Sequence, residues 1–496
     1  MIKYGTTLLV LLVVVAALCT TAVAADASTC KLELKRLEPL PVSGISVSQL
    51  PADYLLRRAI RPQSYFMQAG VIRRTVSSTK AFSDVITKEL DEYGSEHPFR
   101  GVATLGSGHY GFVLDTKPAE SDAANEAKEE NEADEAKPAP PKPIAYNRLY
   151  FDLNGNGDLT DDKVIEAKPA QQRYQSLPAT ARPTSSYARF QFPRVDLKID
   201  VDGKKADYAF FFSVYSRATS SYSYASASLM AAAYREGEIE LNGKRHRIVL
   251  IDGNSNGRFD DAFTVRDLNG RPYPTYGDTL MVDPETASGA TAIGYDLPGQ
   301  QLSKLATVDG GLYDLEVLAG GSQLSMTPYA DPIGYVETDT KGLRAVIYGD
   351  KGLARISGDD AKPTPVPVGK WKLVSYTIQS VAEQQPEKTP DEEKGPVMRM
   401  PRISYVAARG SADSQAFEVG EGETVTGVFG PPYKPVVSAP ESVQGGQTVR
   451  LGMALVGAGG EQCASLIVEG SRPPQPELTI TTPDGEEVHT GKFEYG

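Results

Sequence analysis

Short runs of alternating apolar and polar residues, punctuated by Gly, Asn, Asp and Pro, recur along most of this chain and constrain its fold more than any other feature. Val195, Leu197, Ile199 and Val201 alternate with Asp196, Lys198 and Asp200 ahead of Asp202 and Gly203. Residues 237–241 alternate in the same way before Asn242 and Gly243, and a second strand-like run follows at 245–251, apolar from Ile248 onward. A period of two puts every second side chain on one face of a strand, and Asn-Gly or Asp-Gly supplies the positive φ angles of a two-residue hairpin turn. The chain is therefore predicted to be mainly β, assembled from hairpins. The best helix candidate is short, residues 51–60 with Ser48 as its cap.

Two of these strands lead straight into loops rich in side-chain oxygen. In the first module, residues 110–115 are expected to pair with 147–151, and in the second the hairpin tip is only Asn242 and Gly243. The loops start 100 residues apart, at Asp152 and Asp252, a spacing that suggests an internal repeat of one β-hairpin module.

The first loop carries Asp152, Asn154, Asn156, Gly157, Asp158, Leu159, Asp161 and Asp162; the second carries Asp252, Asn254, Asn256, Gly257, Arg258, Phe259, Asp260 and Asp261. Calcium is a hard cation that takes about six to eight oxygens, and alternate residues of a tightly curled loop can aim theirs at one centre. The Asp, Asn and Asn at alternate positions would supply side-chain oxygens, and Asp158 and Arg258 would each supply a backbone carbonyl. Gly157 and Gly257 permit the sharp turn, and Leu159 and Phe259 would tie each loop to the core.

Both loops resemble EF-hand and dockerin-type calcium loops over about a dozen residues each. They depart from that pattern in two ways: Lys163 and Phe263 stand where the family has a bidentate acid, and a strand replaces its entering helix. The acidic pairs Asp161 with Asp162 and Asp260 with Asp261 are expected to close the shell instead, directly or through water. Asn, Asp and Gly also favour turns without any metal, but two copies at one spacing favour calcium binding. A partial third match at Asp267, Asn269 and Gly270 lacks the later oxygens and is predicted to be a turn. The chain also resembles exported bacterial β-rich proteins that repeat this strand-plus-loop module and end near residues 491–496. That likeness implies an envelope or extracellular setting and names no activity.

Lys3, the apolar run 8–18 and the small residues Ala22, Val23 and Ala24 read as a signal peptide over 1–24, too short to span a bilayer. The protein is thus expected to be secreted, or held in the periplasm or cell envelope, with no transmembrane segment after signal cleavage. Mass spectrometry of the native protein should find its N-terminus at Ala25 or Ser28, and an intact Met1 would contradict this. Cleavage leaves Cys30 and Cys463, enough for one bridge or two free thiols and too few for a multi-cysteine metal site. A net charge of −13 argues against nucleic acid, whose binding depends on lysine and arginine, and suits a divalent cation.

An N-terminal region over 25–95 is expected to precede a β-rich region over 96–360 that holds both modules. Within it, 117–143 collapses to Ala, Glu, Asp, Lys and Pro and is expected to be a disordered acidic insertion at a hairpin tip. After Pro363, Pro365 and Pro367 the texture changes to short strands at regular spacing, and 361–496 is read as an immunoglobulin-like β-sandwich region. The polar run 383–395 would be a long hairpin loop inside it.

Other motifs carry less. Ser255 sits in a Gly253-x-Ser255-x-Gly257 match that lacks the following helix of a nucleophile elbow, and Gly106, Gly108 and Gly111 lie between strands, where no phosphate cradle forms. His97, His109, His246 and His489 are scattered beyond ligand spacing. No catalytic residue is singled out. Tyr208, Tyr215, Tyr222, Tyr224 and Tyr234 cluster near the second module, where strand-forming aromatics on a half-buried sheet are favoured over a carbohydrate face. The function expected is a calcium-stabilised structural or adhesive role. The alternatives are a module binding carbohydrate or a cell-surface protein, and a hydrolase built from dispersed carboxylates. A flat aromatic sheet face would favour the binder, and a deep pocket of converging carboxylates the hydrolase.

Overall fold

The computed structural model describes residues 27–39, 53–68, 71–73, 80–117, 143–167, 185–219, 223–284, 299–359, 362–381, 403–440, 446 and 448–495. The signal peptide, Ser48, Tyr222, the loop 383–395 and nearly all of the acidic insertion lie outside them.

The predicted hairpins form as the turn chemistry requires. Val195–Val201 pairs antiparallel with Lys204–Thr219, Val201 opposite Lys204, around Asp202 and Gly203 at φ 51° and 80°. Ala233–Leu241 pairs with Lys244–Ile251 around Asn242 and Gly243 at φ 50° and 75°. Two successive positive φ values give a turn whose twist matches that of its strands. The fold is mainly β, in largely antiparallel sheets packed sandwich-like. The one α-helix among the described residues is Tyr54–Arg58, where the Asp53 carboxylate pairs with Arg57 at 2.6 Å instead of capping the backbone.

In the first module Gly108–Asp115 pairs with Arg148–Phe151, Phe112 opposite Phe151 and Asp115 opposite Arg148, the pairing expected across the acidic insertion. Phe99–Leu105 and Ile165–Glu166 complete a four-stranded sheet. Its inner face meets the six-stranded sheet that holds Lys204–Thr219 through aromatic contacts, Phe112 to Phe212 at 5.0 Å and Phe151 to Phe210 at 4.9 Å between ring centres. Edge-on and tilted rings of this kind add to the burial energy of the two faces. The N-terminal strands do not stand apart: Ser28–Lys31 pairs with Gln323–Pro328, and Glu33–Arg36 pairs with Ala233–Leu241. Cys30 is buried in this core and Cys463 half-buried far along the chain; both thiols are free.

A second core gathers around Trp371, Tyr376 and Ile347. One wall is an eight-stranded sheet centred on Gly369–Val381, and the other is the three-stranded sheet of Ile333–Glu337, Thr364–Pro367 and Thr424–Thr426. The packing does not divide at residue 360, since Leu343–Gly349 and Gly352–Ser357 lie in the same sheet as Gly369–Val381. Gly369–Val381 and Ile403–Arg409 are antiparallel neighbours with Val381 opposite Ile403, as expected on either side of the 383–395 loop. The hairpin Thr264–Leu268 with Arg271–Thr275 reaches from the first body to the second, and Asp267 accepts hydrogen bonds from Lys372 Nζ at 3.2 Å and Tyr348 at 3.3 Å. The partial third match is therefore a turn, with Asn269 and Gly270 both at positive φ and its acid engaged in an interbody contact. No helix among the described residues is long and apolar enough to cross a membrane.

Candidate metal centre

Each loop begins where a buried strand ends, so its first carboxylate is carried into the interior. Asp152 is 1% exposed and Asp252 fully buried. Asp152 Oδ1 accepts the Asn156 N–H at 3.0 Å and Oδ2 the Gly157 N–H at 3.1 Å; Asp252 Oδ1 and Oδ2 accept the Asn256 and Gly257 N–H at 3.1 and 2.7 Å. Asn154 and Asn254 accept the N–H two residues on at 2.9 and 3.2 Å, and Asn156 and Asn256 do the same at 2.8 and 2.9 Å. The carboxylates of Asp161 and Asp261 return across the loop, meeting the side-chain amides of Asn156 at 2.8 Å and Asn256 at 2.6 Å. One wiring scheme thus recurs in both copies, residue for residue.

Side chains at the seventh position point away, which leaves only their backbones facing the loop. Asp158 pairs with Lys88 at 2.8 Å and with the Thr160 hydroxyl. Arg258 forks onto Asp202 with two contacts of 3.0 Å and also holds Asp260 at 2.9 Å. Leu159 and Phe259 are each 1% exposed and pin their loops to the core, Phe259 under the Arg235 guanidinium at 5.1 Å.

The acidic pairs do not close the two loops alike. Asp162 Oδ1 accepts the Leu153 N–H at 3.2 Å, and the matching N–H of Gly253 goes to Asp278 Oδ1 at 2.9 Å. Asp278 Oδ2 also accepts the Asp261 N–H at 2.8 Å, and Asp278 is fully buried. Asp260, expected to help close the second shell, is turned outward to Arg258. Asp278 takes the Asp162 place from beyond an inserted hairpin, and no local spacing in the sequence marks it. Tyr208, which donates to Asp252 Oδ2 at 2.6 Å, was likewise visible only as one of a tyrosine cluster.

Burial pushes the Asp162 and Asp252 carboxyls up to about 6 against the hydrogen bonds they accept, and neighbouring acids add to the rise: Asp152, Asp161 and Asp158 around the first, Asp261 beside the second. Burial, then Asp252 and Asp261, raises Asp278 well above the usual carboxylate range. Three carboxylates therefore repel one another within each loop. Among the described residues no cluster of three or more His, Cys, Asp or Glu side chains stands close enough to hold a metal ion by itself. A site here has to draw on the asparagine and backbone oxygens as well. That donor set is all oxygen, as calcium requires, and in the first loop Asp162 Oδ2 is buried with no hydrogen-bond partner. In the geometry observed, the amides of Asn156 and Asn256 face the returning carboxylate with nitrogen. Cation entry would need those amides to turn so that oxygen replaces it.

Tight packing around the second loop gives a local test. Gly257 has φ +80°, and an added Cβ would lie 2.5 Å from Ile199 Cδ1 and 3.1 Å from the Gly106 nitrogen. Gly257→Ala is expected to cost about 1–3 kcal/mol from strain and overpacking. Gly243→Ala, at an open hairpin tip with nothing within 4 Å, should cost less, and urea midpoints measure both.

Ser255 is fully buried, donating to the Arg61 carbonyl at 2.7 Å and accepting the Ala231 N–H at 3.0 Å, so its hydroxyl is a structural tie. His246 is buried against Asp283 at 2.8 Å, and His109 contacts Thr104 at 3.3 Å. Of the clustered tyrosines, Tyr208 lies inside the core; Tyr215 and Tyr224 are half-buried on one face of the six-stranded sheet, where Tyr187 stacks on Tyr215 at 5.8 Å. Comparison with known proteins finds no matching family model, no matching curated protein and no matching solved structure.

Proposed function

We propose that this is a secreted or cell-envelope structural or adhesive protein in which calcium, bound at both loops, fixes the connections between strands. The observation that carries this reading is the third carboxylate. A turn stabilised by Asn and Gly alone needs no further acids, yet each loop gathers two beside its buried first carboxylate: Asp161 with the half-buried Asp162 in one copy, and Asp261 with the fully buried Asp278, from beyond a hairpin, in the other. Carboxylates that repel one another around a buried first acid are neutralised by a cation, and calcium accepts the irregular oxygen shell these loops offer. Asp152, Asn154, Asn156, Asp161 and Asp162 would hold one ion with the Asp158 carbonyl. Asp252, Asn254, Asn256, Asp261 and Asp278 would hold the other with the Arg258 carbonyl. When bound, the ion supplies charge neutralisation and a crosslink, and no chemistry on a substrate is assigned to it.

A ligand that binds only the folded state stabilises it by RT ln(1 + [L]/Kd), roughly 1.4 kcal/mol per site at tenfold excess. The melting temperature should therefore climb as calcium is raised through the range on the order of 10⁻⁴ to 10⁻³ M that suits extracellular loops. Magnesium should do less, because it demands a tighter octahedron and sheds water reluctantly. Equal shifts with both ions would argue for non-specific charge screening instead.

A further inference from the structure

Between the two bodies lies a cleft of about 530 Å³, a volume usual for small-molecule sites. Its floor is the eight-stranded sheet, and the strand register decides what stands on it. Arg355 lies opposite Val346, Val346 opposite Ser375, and Ser375 opposite Arg409, which makes one row across four strands. The next row runs Arg344, Thr377, Ala407 and Ser465. The first row carries a guanidinium at each end and the second one at its Arg344 end, with Val346, Ser375, Thr377 and Ala407 between them, so cationic side chains flank a centre of smaller ones. Arg344 and Arg355 are diagonal neighbours, whereas Arg409 stands two strand spacings from Arg344 and three from Arg355, roughly 10 and 14 Å across the sheet.

The charge of this lining runs against that of the chain. The protein holds 64 Asp and Glu residues against 51 Lys and Arg, yet no acid is among the described residues that line the cleft. At the rim Arg344 approaches Asp359 at 3.8 Å, a long and exposed pairing. Arg355 donates to the Gly299 carbonyl, which orients its fork along the cleft wall. The opposite wall brings Tyr276, whose ring has the Arg61 guanidinium 4.1 Å from its centre, together with Gln300, Gln301 and Ser303.

We propose that this cleft binds an acidic saccharide with carboxylates on more than one sugar. Arginine forks match carboxylates with two parallel hydrogen bonds, and the separation of Arg409 from Arg344 and Arg355 suits two anionic groups on one extended molecule. The hydroxyl and amide side chains between them suit ring hydroxyls. Tyr276 and Tyr405 add aromatic surface to the lining, the kind of surface on which sugar rings rest. This site uses none of the loop residues, so it stands or falls separately from the calcium reading.

The test is calorimetry on the full mature chain at fixed free calcium, with glucuronate- and galacturonate-containing tetrasaccharides, a neutral tetrasaccharide and tripolyphosphate as probes. An acidic tetrasaccharide should bind at least about tenfold more tightly than the neutral one or tripolyphosphate, the factor that one lost charge-assisted contact represents. Its binding should weaken between about 0.05 M and 0.5 M salt. Arg344→Gln and Arg409→Gln lie at exposed positions and should each weaken it about tenfold with an unchanged melting temperature. Binding without salt dependence, equal affinity for the neutral sugar or for tripolyphosphate, or no binding of any acidic tetrasaccharide would overturn the proposal. So would folded variants that bind as the wild type does.

Discussion

Replacing Asp252 by alanine should lower the unfolding midpoint further than any other single change in either loop. Its carboxylate accepts hydrogen bonds from the Asn256 and Gly257 N–H groups and from the Tyr208 hydroxyl, all at a fully buried position. Each buried donor left without a partner costs about 1–3 kcal/mol, so the loss should reach about 3–5 kcal/mol. The Tyr208 hydroxyl is the part of this cost that can be removed separately. In the double variant Asp252→Ala with Tyr208→Phe one orphaned donor disappears, and the two changes together should cost less than their sum. Strict additivity in urea denaturation would mean that the hydroxyl finds another partner and that the buried carboxylate matters less than its geometry suggests.

Asp278→Ala should be the next most damaging, at about 2–4 kcal/mol, because the N–H groups of Gly253 and Asp261 both lose their acceptor. Asp162→Ala removes the acceptor of one N–H, that of Leu153, and should cost less. Asp260→Ala should cost under about 1 kcal/mol, since it breaks only a part-exposed contact with Arg258, which keeps its fork on Asp202. The order Asp278, Asp162, Asp260 therefore separates a carboxylate that closes the loop from one that merely sits beside it in sequence. If Asp260→Ala proved the most harmful of the three, the assignment of Asp278 to the Asp162 place would fail.

The same residues show where sequence reading reaches its limit. Alternation and two-residue turns were legible at Asp202 with Gly203 and at Asn242 with Gly243 because turn chemistry acts within four residues. The pairing of Gly108–Asp115 with Arg148–Phe151 was legible across the acidic insertion because both strands keep the apolar run that the core demands. The loop oxygens at Asp152, Asn154 and Asn156 and their counterparts were legible from spacing alone. Asp278 was not, because it reaches the second loop by strand pairing across the Thr264–Thr275 hairpin and its role is set in space. Nor was the sharing of one sheet by strands on both sides of residue 360, since the prolines there end a local pattern without ending the sheet. The arginine rows of the cleft depend on register between four strands, a relation that no single stretch of sequence contains.

Calcium titration of chelator-treated protein by calorimetry tests the central claim most directly. Two binding events are predicted for the wild type, one for Asp152→Ala, one for Asp252→Ala where that variant still folds, and none for the double variant. The melting temperature should rise in step with occupancy, because each ion that binds only the folded state adds its own increment. Absence of any calcium heat, with melting indifferent to chelator, would return both loops to the standing of ordinary Asn- and Gly-rich turns.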